Sequence, residues 1–199
     1  MADKEFKSFF KTVGGNEGNK CNYPTRLDTY GCGCQHDCKY CYAKSLLDFR
    51  GLWNPSNPSV ADIKKIRRVI SKLEKGTIVR LGGMTDCFMP YEKTKRVTYE
   101  TIKALNEYGI GYLIVTKSAI VADDEYIEIF DKSLAHIQIT ITCFDDEKYR
   151  ELDYEKASLP SDRIKAVEKL YKAGFDVQVR LSPFIPEFVD YKNLNSNRV

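Results

Sequence analysis

Five short runs of aliphatic and β-branched residues, separated by stretches of helical periodicity, constrain this fold more than any other feature of the chain. The runs lie around RLDTYGC from Arg26, then at TIVRLGG (77–83), GYLIVTK (111–117), HIQITIT (136–142) and FDVQVRLSP (175–183). Between them, apolar residues recur three and four apart. Val60, Ile63, Ile66, Val69, Ile70 and Leu73 form one such set, Val97, Thr101, Ile102, Leu105 and Tyr108 a second, and Ile164, Val167, Leu170 and Tyr171 a third. That spacing places each set on one helix face. Gly76, Gly109 and Gly174 follow as stop signals, and Ser161 or Asp162 can cap the last helix. A further helix is predicted over 123–132. Strand and helix alternating across short connections imply right-handed βαβ units and a parallel sheet. The run YLIV fits burial on both sheet faces. About five strands in 199 residues leave no room for a closed eight-unit barrel. An open doubly wound sheet and a partial barrel both satisfy the pattern.

Charge excludes little. Thirty-one basic and 28 acidic residues give a net charge of +3, too balanced to argue for nucleic acid or a membrane surface. The basic run KKIRR (64–68) reads as a solvated helix face. No run of about eighteen apolar residues occurs, so no transmembrane helix is expected. The opening MADKEFKSFFKTVGG has no continuous apolar segment, so a cytoplasmic protein is expected. Residues 1–22, with the Gly-rich VGGNEGNK, are expected to be a flexible N-terminal extension, and residues 23–199 one α/β domain. Seven cysteines without an export signal point to metal or redox chemistry rather than disulfides.

In parallel α/β folds, sites gather at the carboxyl ends of the strands. Here those ends carry a cysteine loop, GGMTD, TKS, TITC and RLSP. Four cysteines fall within ten residues of the loop YGCGCQHDCKYCYA, and Cys34, Cys38 and Cys41 are spaced C-x3-C-x2-C. Incidental thiols, structural zinc and an iron–sulfur cluster compete as readings. Zinc prefers four closed ligands, often as two separated pairs, and only one C-x2-C pair occurs here. An iron–sulfur cluster suits thiolates clustered in one loop. Three cysteines for four irons would leave one iron open to a ligand.

The loop, with Tyr40 just before its last cysteine, resembles the signature of the radical SAM superfamily. Together with GGMTDCFMPYE, LIVTKS, ITITCFDDE and VRLSPFIPE it resembles the spore photoproduct lyase-like branch, over about residues 23–191. The fold this implies is a partial (β/α) barrel. The implied activity is reductive cleavage of S-adenosylmethionine at a 4Fe–4S cluster, giving a 5′-deoxyadenosyl radical that abstracts hydrogen from an unknown substrate. By resemblance, Cys34, Cys38 and Cys41 are the cluster ligands. Tyr40 and Tyr42 would lie beside the cluster and adenine, where an aromatic face suits a purine. Gly82, Gly83, Thr85 and Asp86 would meet the methionyl amine, and Lys117 its carboxylate. Thr140 and Thr142 would touch the ribose or methionyl group, and Arg180 an anionic group. Cys32 is the odd thiol of the loop. The alternative from another class is a non-catalytic metal-binding module, holding structural zinc or a sensing or electron-transfer cluster.

The sequence departs from that branch in two places. The lyase proper has a hydrogen-donating cysteine near the end of the second strand, and matching the strand ends puts Gly83 there. Cys87 and Cys143 lie near strand ends without matching that position. The chain also stops after the fifth strand, so an apparently truncated barrel with an exposed edge is expected. A partner chain completing the barrel, and a flavodoxin- or ferredoxin-like reductant, are the partners this implies. Nucleic acid finds no support in the charge.

Overall fold

The computed structural model describes residues 9–12, 14, 23–152 and 156–189. Its strands are β1 (Phe10–Thr12), β2 (Thr25–Leu27), β3 (Tyr30–Gly31), β4 (Ser59–Val60), β5 (Ile78–Leu81), β6 (Gly111–Thr116), β7 (Ala135–Thr140) and β8 (Asp176–Arg180). Its helices are α1 (Tyr42–Asp48), α2 (Ile63–Ile70), α3 (Glu92–Lys95), α4 (Val97–Tyr108), α5 (Asp124–Ile129), α6 (Asp146–Leu152) and α7 (Pro160–Lys172). The main sheet has the order β1-β2-β5-β6-β7-β8, and β3 and β4 form a separate antiparallel pair.

The five runs that open the sequence reading become the five parallel strands β2, β5, β6, β7 and β8. Each pairs with the next in chain order, so the crossovers step in one direction and the sheet is an open, partial barrel. On β6, Tyr112, Leu113 and Ile114 are all buried, as a strand covered on both faces requires. The outer face is the core: Leu27, Val79, Leu81, Ile114, Ile137 and Ile139 pack in one cluster with Ile66, Ile70, Ile102, Leu105, Val167 and Leu170 from the helices. The inner face alternates with it and carries polar groups. There Gln138 donates to Gln178 at 3.2 Å, and His136 lies 3.3 Å from Asp176. On β8 every second residue is exposed, and among the described residues the strand pairs on one side alone, with β7.

Several boundaries differ from the sequence expectation. Val60 belongs to β4, and α2 starts only at Ile63 because the Asp62 carboxylate caps it, accepting from the Lys64 amide at 2.8 Å. The helix ends at Ile70, short of Gly76. Neither Ser161 nor Asp162 caps α7. Pro160 occupies its first turn, where the missing N–H costs nothing, and the Ser161 amide and hydroxyl bond Asp146 instead. Within the segment expected to be a flexible extension, Phe10–Thr12 forms β1, antiparallel to β2. The rest of the Gly-rich stretch, apart from Gly14, and Cys21 lie outside the described residues. No described helix is long and apolar enough to cross a membrane.

Candidate functional site

The cysteine loop is two successive turns. Asp37 N–H donates to the Cys34 carbonyl and Cys41 N–H to the Cys38 carbonyl, both at 3.1 Å. The loop needs left-handed backbone at Cys32, Gly33 and Asp37. Gly33 is also fixed by space, since a Cβ there would sit 2.2 Å from the Asn54 carbonyl oxygen. Cys41 then caps α1, so the third thiol marks the point where loop becomes helix. Cys34 and Cys38 are buried and Cys41 half-buried. Burial pushes the Cys34 thiol up to about 12, with the Asp86 charge adding to it. Such a thiol stays protonated at neutral pH until a metal displaces the proton.

Cys34, Cys38 and Cys41 border one cavity of about 150 Å³, which Tyr42, Gly83, Thr85, Asp86, Lys117 and Thr140 also line. These are the ends of β5, β6 and β7 meeting the cysteine loop that follows β3. The sequence-predicted residues Tyr40, Gly82, Thr142 and Arg180 do not line it. Tyr40 lies just behind, its ring 4.0 Å from the Lys117 ammonium, which also bonds its hydroxyl and approaches Cys38 Sγ at 3.6 Å. Gly82 makes the turn after β5 with a φ of +79°. Thr142 is fully buried beyond the end of β7, facing the Ser182 carbonyl at 3.4 Å. Arg180 is exposed on the edge strand and contacts Gln138 at 3.4 Å. Cys32 is outside the cavity, as is Cys87, which is buried in the core with its thiol pushed well above the usual range by burial. Cys143 is buried as well, its thiol 3.4 Å from the Asp145 carbonyl.

Two residues matched to the methionyl amine have internal work. The Asp86 carboxylate accepts from the Phe88 amide at 2.9 Å, Thr116 Oγ1 at 2.7 Å and the Lys117 amide at 2.7 Å, and it faces His36 Nδ1 at 3.3 Å. Burial alone would raise this carboxyl. The nearby His36 and the hydrogen bonds from His36, Lys117 and Thr116 outweigh burial and leave it below the ordinary carboxylate range. Asp86 therefore clamps the cysteine loop to the ends of β5 and β6. Gly83 is required by a neighbouring side chain: a Cβ there would lie 1.6 Å from Arg26 Cδ. Its carbonyl accepts from the Tyr42 hydroxyl at 2.5 Å, and its amide donates to Asp28 at 2.6 Å. Gly83→Ala is expected to destabilise the fold by about 1–3 kcal/mol through overpacking, read as a lowered urea midpoint.

Sequence reasoning missed His36 and Glu92. His36 is one of only two histidines and stands between two of the loop cysteines, which was the available signal. Glu92 sits in a polar helical turn with nothing local to mark it. It is fully buried and accepts four hydrogen bonds: from the hydroxyls of Tyr30 and Tyr126 and the amides of Thr98 and Tyr99. Those amides belong to the first turn of α4, where an anion is favoured by unpaired N–H groups and the helix dipole. Tyr30 leads directly into the cysteine loop, and its carbonyl accepts from Thr85 Oγ1 at 2.8 Å. Burial and the Glu92 charge push both tyrosines above their ordinary range.

The donors around the cavity suit a multi-iron cluster better than a single ion. Among the described residues, no three His, Cys, Asp or Glu side chains converge on one metal position. A zinc ion needs its ligands within about 2.0–2.3 Å of a single point. An iron–sulfur cluster takes each thiolate on a different iron, so thiols spread around a cavity fit it.

The sequence profile of the radical SAM superfamily matches residues 29–190. The chain belongs to that superfamily, whose members are enzymes. An uncharacterized protein of Methanocaldococcus jannaschii is 27% identical over 164 residues, which cover 79% of this chain and 60% of that protein. A spore photoproduct lyase mutant with bound AdoMet and dinucleoside spore photoproduct aligns with a TM-score of 0.67 and 14% identity, over 90% of this chain and 50% of that one. Native anSMEcpe, with bound AdoMet and Cp18Cys peptide, aligns with a TM-score of 0.53 and 11% identity, over 77% of this chain and 41% of that one. The structural likenesses establish the partial-barrel fold. The chain spans about half the length of spore photoproduct lyase and 60% of the curated relative.

Proposed function

We propose that this protein is a radical SAM enzyme whose cavity, where the cysteine loop meets the carboxyl ends of β5, β6 and β7, takes a 4Fe–4S cluster and S-adenosylmethionine. The observation that carries this reading is the convergence on one cavity of three thiols and Tyr42, from the cysteine loop and the start of α1, with Lys117 and three threonines from separate strand ends. A structural metal site has no use for that polar wall. Cys34, Cys38 and Cys41 would hold the cluster. When bound, the cluster supplies the electron that cleaves the sulfonium of S-adenosylmethionine to methionine and a 5′-deoxyadenosyl radical, which abstracts hydrogen from substrate.

The other roles follow from position. Lys117 would receive the methionyl carboxylate, and its ammonium is already oriented by Tyr40. Thr85 and Thr140 offer hydroxyl groups to the methionyl and ribose portions. Tyr42, at the lip and 67% exposed, offers a ring face for adenine. Asp86 and His36 position the loop and strand ends rather than touching cofactor. A flavodoxin- or ferredoxin-like reductant would supply the electron. The test is anaerobic reconstitution with iron and sulfide, reduction, and addition of S-adenosylmethionine. A brown protein that forms 5′-deoxyadenosine is the expected result. Stoichiometric zinc uptake with no cluster would overturn the proposal and favour a structural metal module.

A further inference from the structure

On the inner sheet face, outside the cavity lining, two arginines stand side by side, one of them packed on Gly83 of that lining. Arg26 on β2 and Arg80 on β5 are direct partners in register. Thr25 and Leu27, and likewise Val79 and Leu81, turn the opposite way into the core, so both guanidinium stems project inward. The Arg26 stem fills the space beside Gly83, which lines the cavity. Like charges on neighbouring strands repel, so an anion between them would stabilise this pairing.

The protein supplies only part of one. Asp28 Oδ2 lies 3.2 Å from Arg26 Nε, close enough for an ion pair but not aligned as a hydrogen bond. Its Oδ1 is held by the Gly83 and Met84 amides, at 2.6 and 2.8 Å. Both Arg26 Nε and Arg80 Nε are shut off from water with no hydrogen-bond partner among the described residues. Two guanidiniums thus share one carboxylate that is already engaged by two amides. The Arg fork matches phosphate and carboxylate groups in a bidentate geometry that Lys lacks.

We propose that the Arg26–Arg80 pair recognises an oxyanion on the substrate, a phosphate or a carboxylate, and so sets its position against the cavity. This rests on the reading of the cavity given above. Phenyl phosphate and benzoate, matched probes for the two sources, are titrated onto the reconstituted protein with S-adenosylmethionine and followed by ligand-observed NMR. One of them is expected to bind, more weakly as salt rises, and which one binds tells phosphate from carboxylate. Arg80→Gln is expected to weaken that binding at least about tenfold, the loss of a charge-assisted hydrogen bond. Asp28→Asn keeps an oxygen for the two amides but removes the competing charge, so it is expected to tighten binding. Arg68→Gln, on the exposed side of α2, is expected to change nothing.

Failure of both probes to bind the unaltered protein overturns the proposal, as does unchanged binding by Arg80→Gln or weakened binding by Asp28→Asn. If Arg80→Gln does not fold, the Asp28→Asn result decides. Deoxyadenosine formed by a protein that binds neither probe sinks this inference and leaves the cavity reading standing. Arg80-dependent probe binding without any deoxyadenosine sinks the cavity reading and, with it, the oxyanion's role as a substrate group.

Discussion

Replacing Cys34, Cys38 or Cys41 by Ala is expected to abolish both the brown chromophore and 5′-deoxyadenosine formation, at least about a thousandfold for each single change. The losses are expected to be nearly equal and not additive, because groups that act as a unit fail as a unit. Cys32→Ala is the internal control. Cys32 lies outside the cavity, and its left-handed backbone already carries a side chain, so Ala adds no new strain. Iron content, the visible absorption spectrum and chromatographic detection of 5′-deoxyadenosine check all four variants. A Cys32→Ala protein without cluster would show that the loop's ligands are assigned wrongly.

Glu92→Ala is expected to produce the largest loss of stability of any single carboxylate in the described structure, roughly 3–5 kcal/mol, equivalent to one or two charge-assisted hydrogen bonds. It leaves two buried tyrosine hydroxyls and two amides of α4 without their acceptor. Glu92→Gln is not a rescue, since one of its two terminal atoms is then a donor facing donors. The exposed pair of Glu107 with Arg67 provides the contrast, and Glu107→Ala is expected to cost less than about 1 kcal/mol. Urea midpoints compare the three. Because Tyr30 feeds directly into the cysteine loop, Glu92→Ala is also expected to slow cluster uptake. The test of that link is iron incorporation at low denaturant, where the variant remains folded.

Much of the fold was legible because its signals are local. The five parallel strands appear where alternating and continuous apolar runs placed them, and Gly109 closes α4 in the left-handed conformation. Short polar helices were not legible. In α1 and α3, no apolar period distinguishes helix from loop, and α3 turns inward only through Glu92, whose two tyrosine partners lie far away in sequence. The strand β1 has three residues and exists through its pairing with β2.

The site divides in the same way. The spacing of Cys34, Cys38 and Cys41 is set by the turns they occupy, so sequence alone determined that three thiols share one loop, and the βα alternation determined that the loop opens at the carboxyl edge of a parallel sheet. Which polar residues face the cavity was decided by contacts between distant segments. The Gly83 amide meets Asp28 across 55 positions, and Tyr30 meets Glu92 across 62. Such contacts gave Asp86 to an internal clamp, Gly83 to the Arg26 stem, and Thr142 to the interior. A side chain's residue type states what it can bond. Only the packed sheet, which brings the ends of β5, β6 and β7 to the cysteine loop, decides whether those bonds are filled from within the protein or left for a ligand.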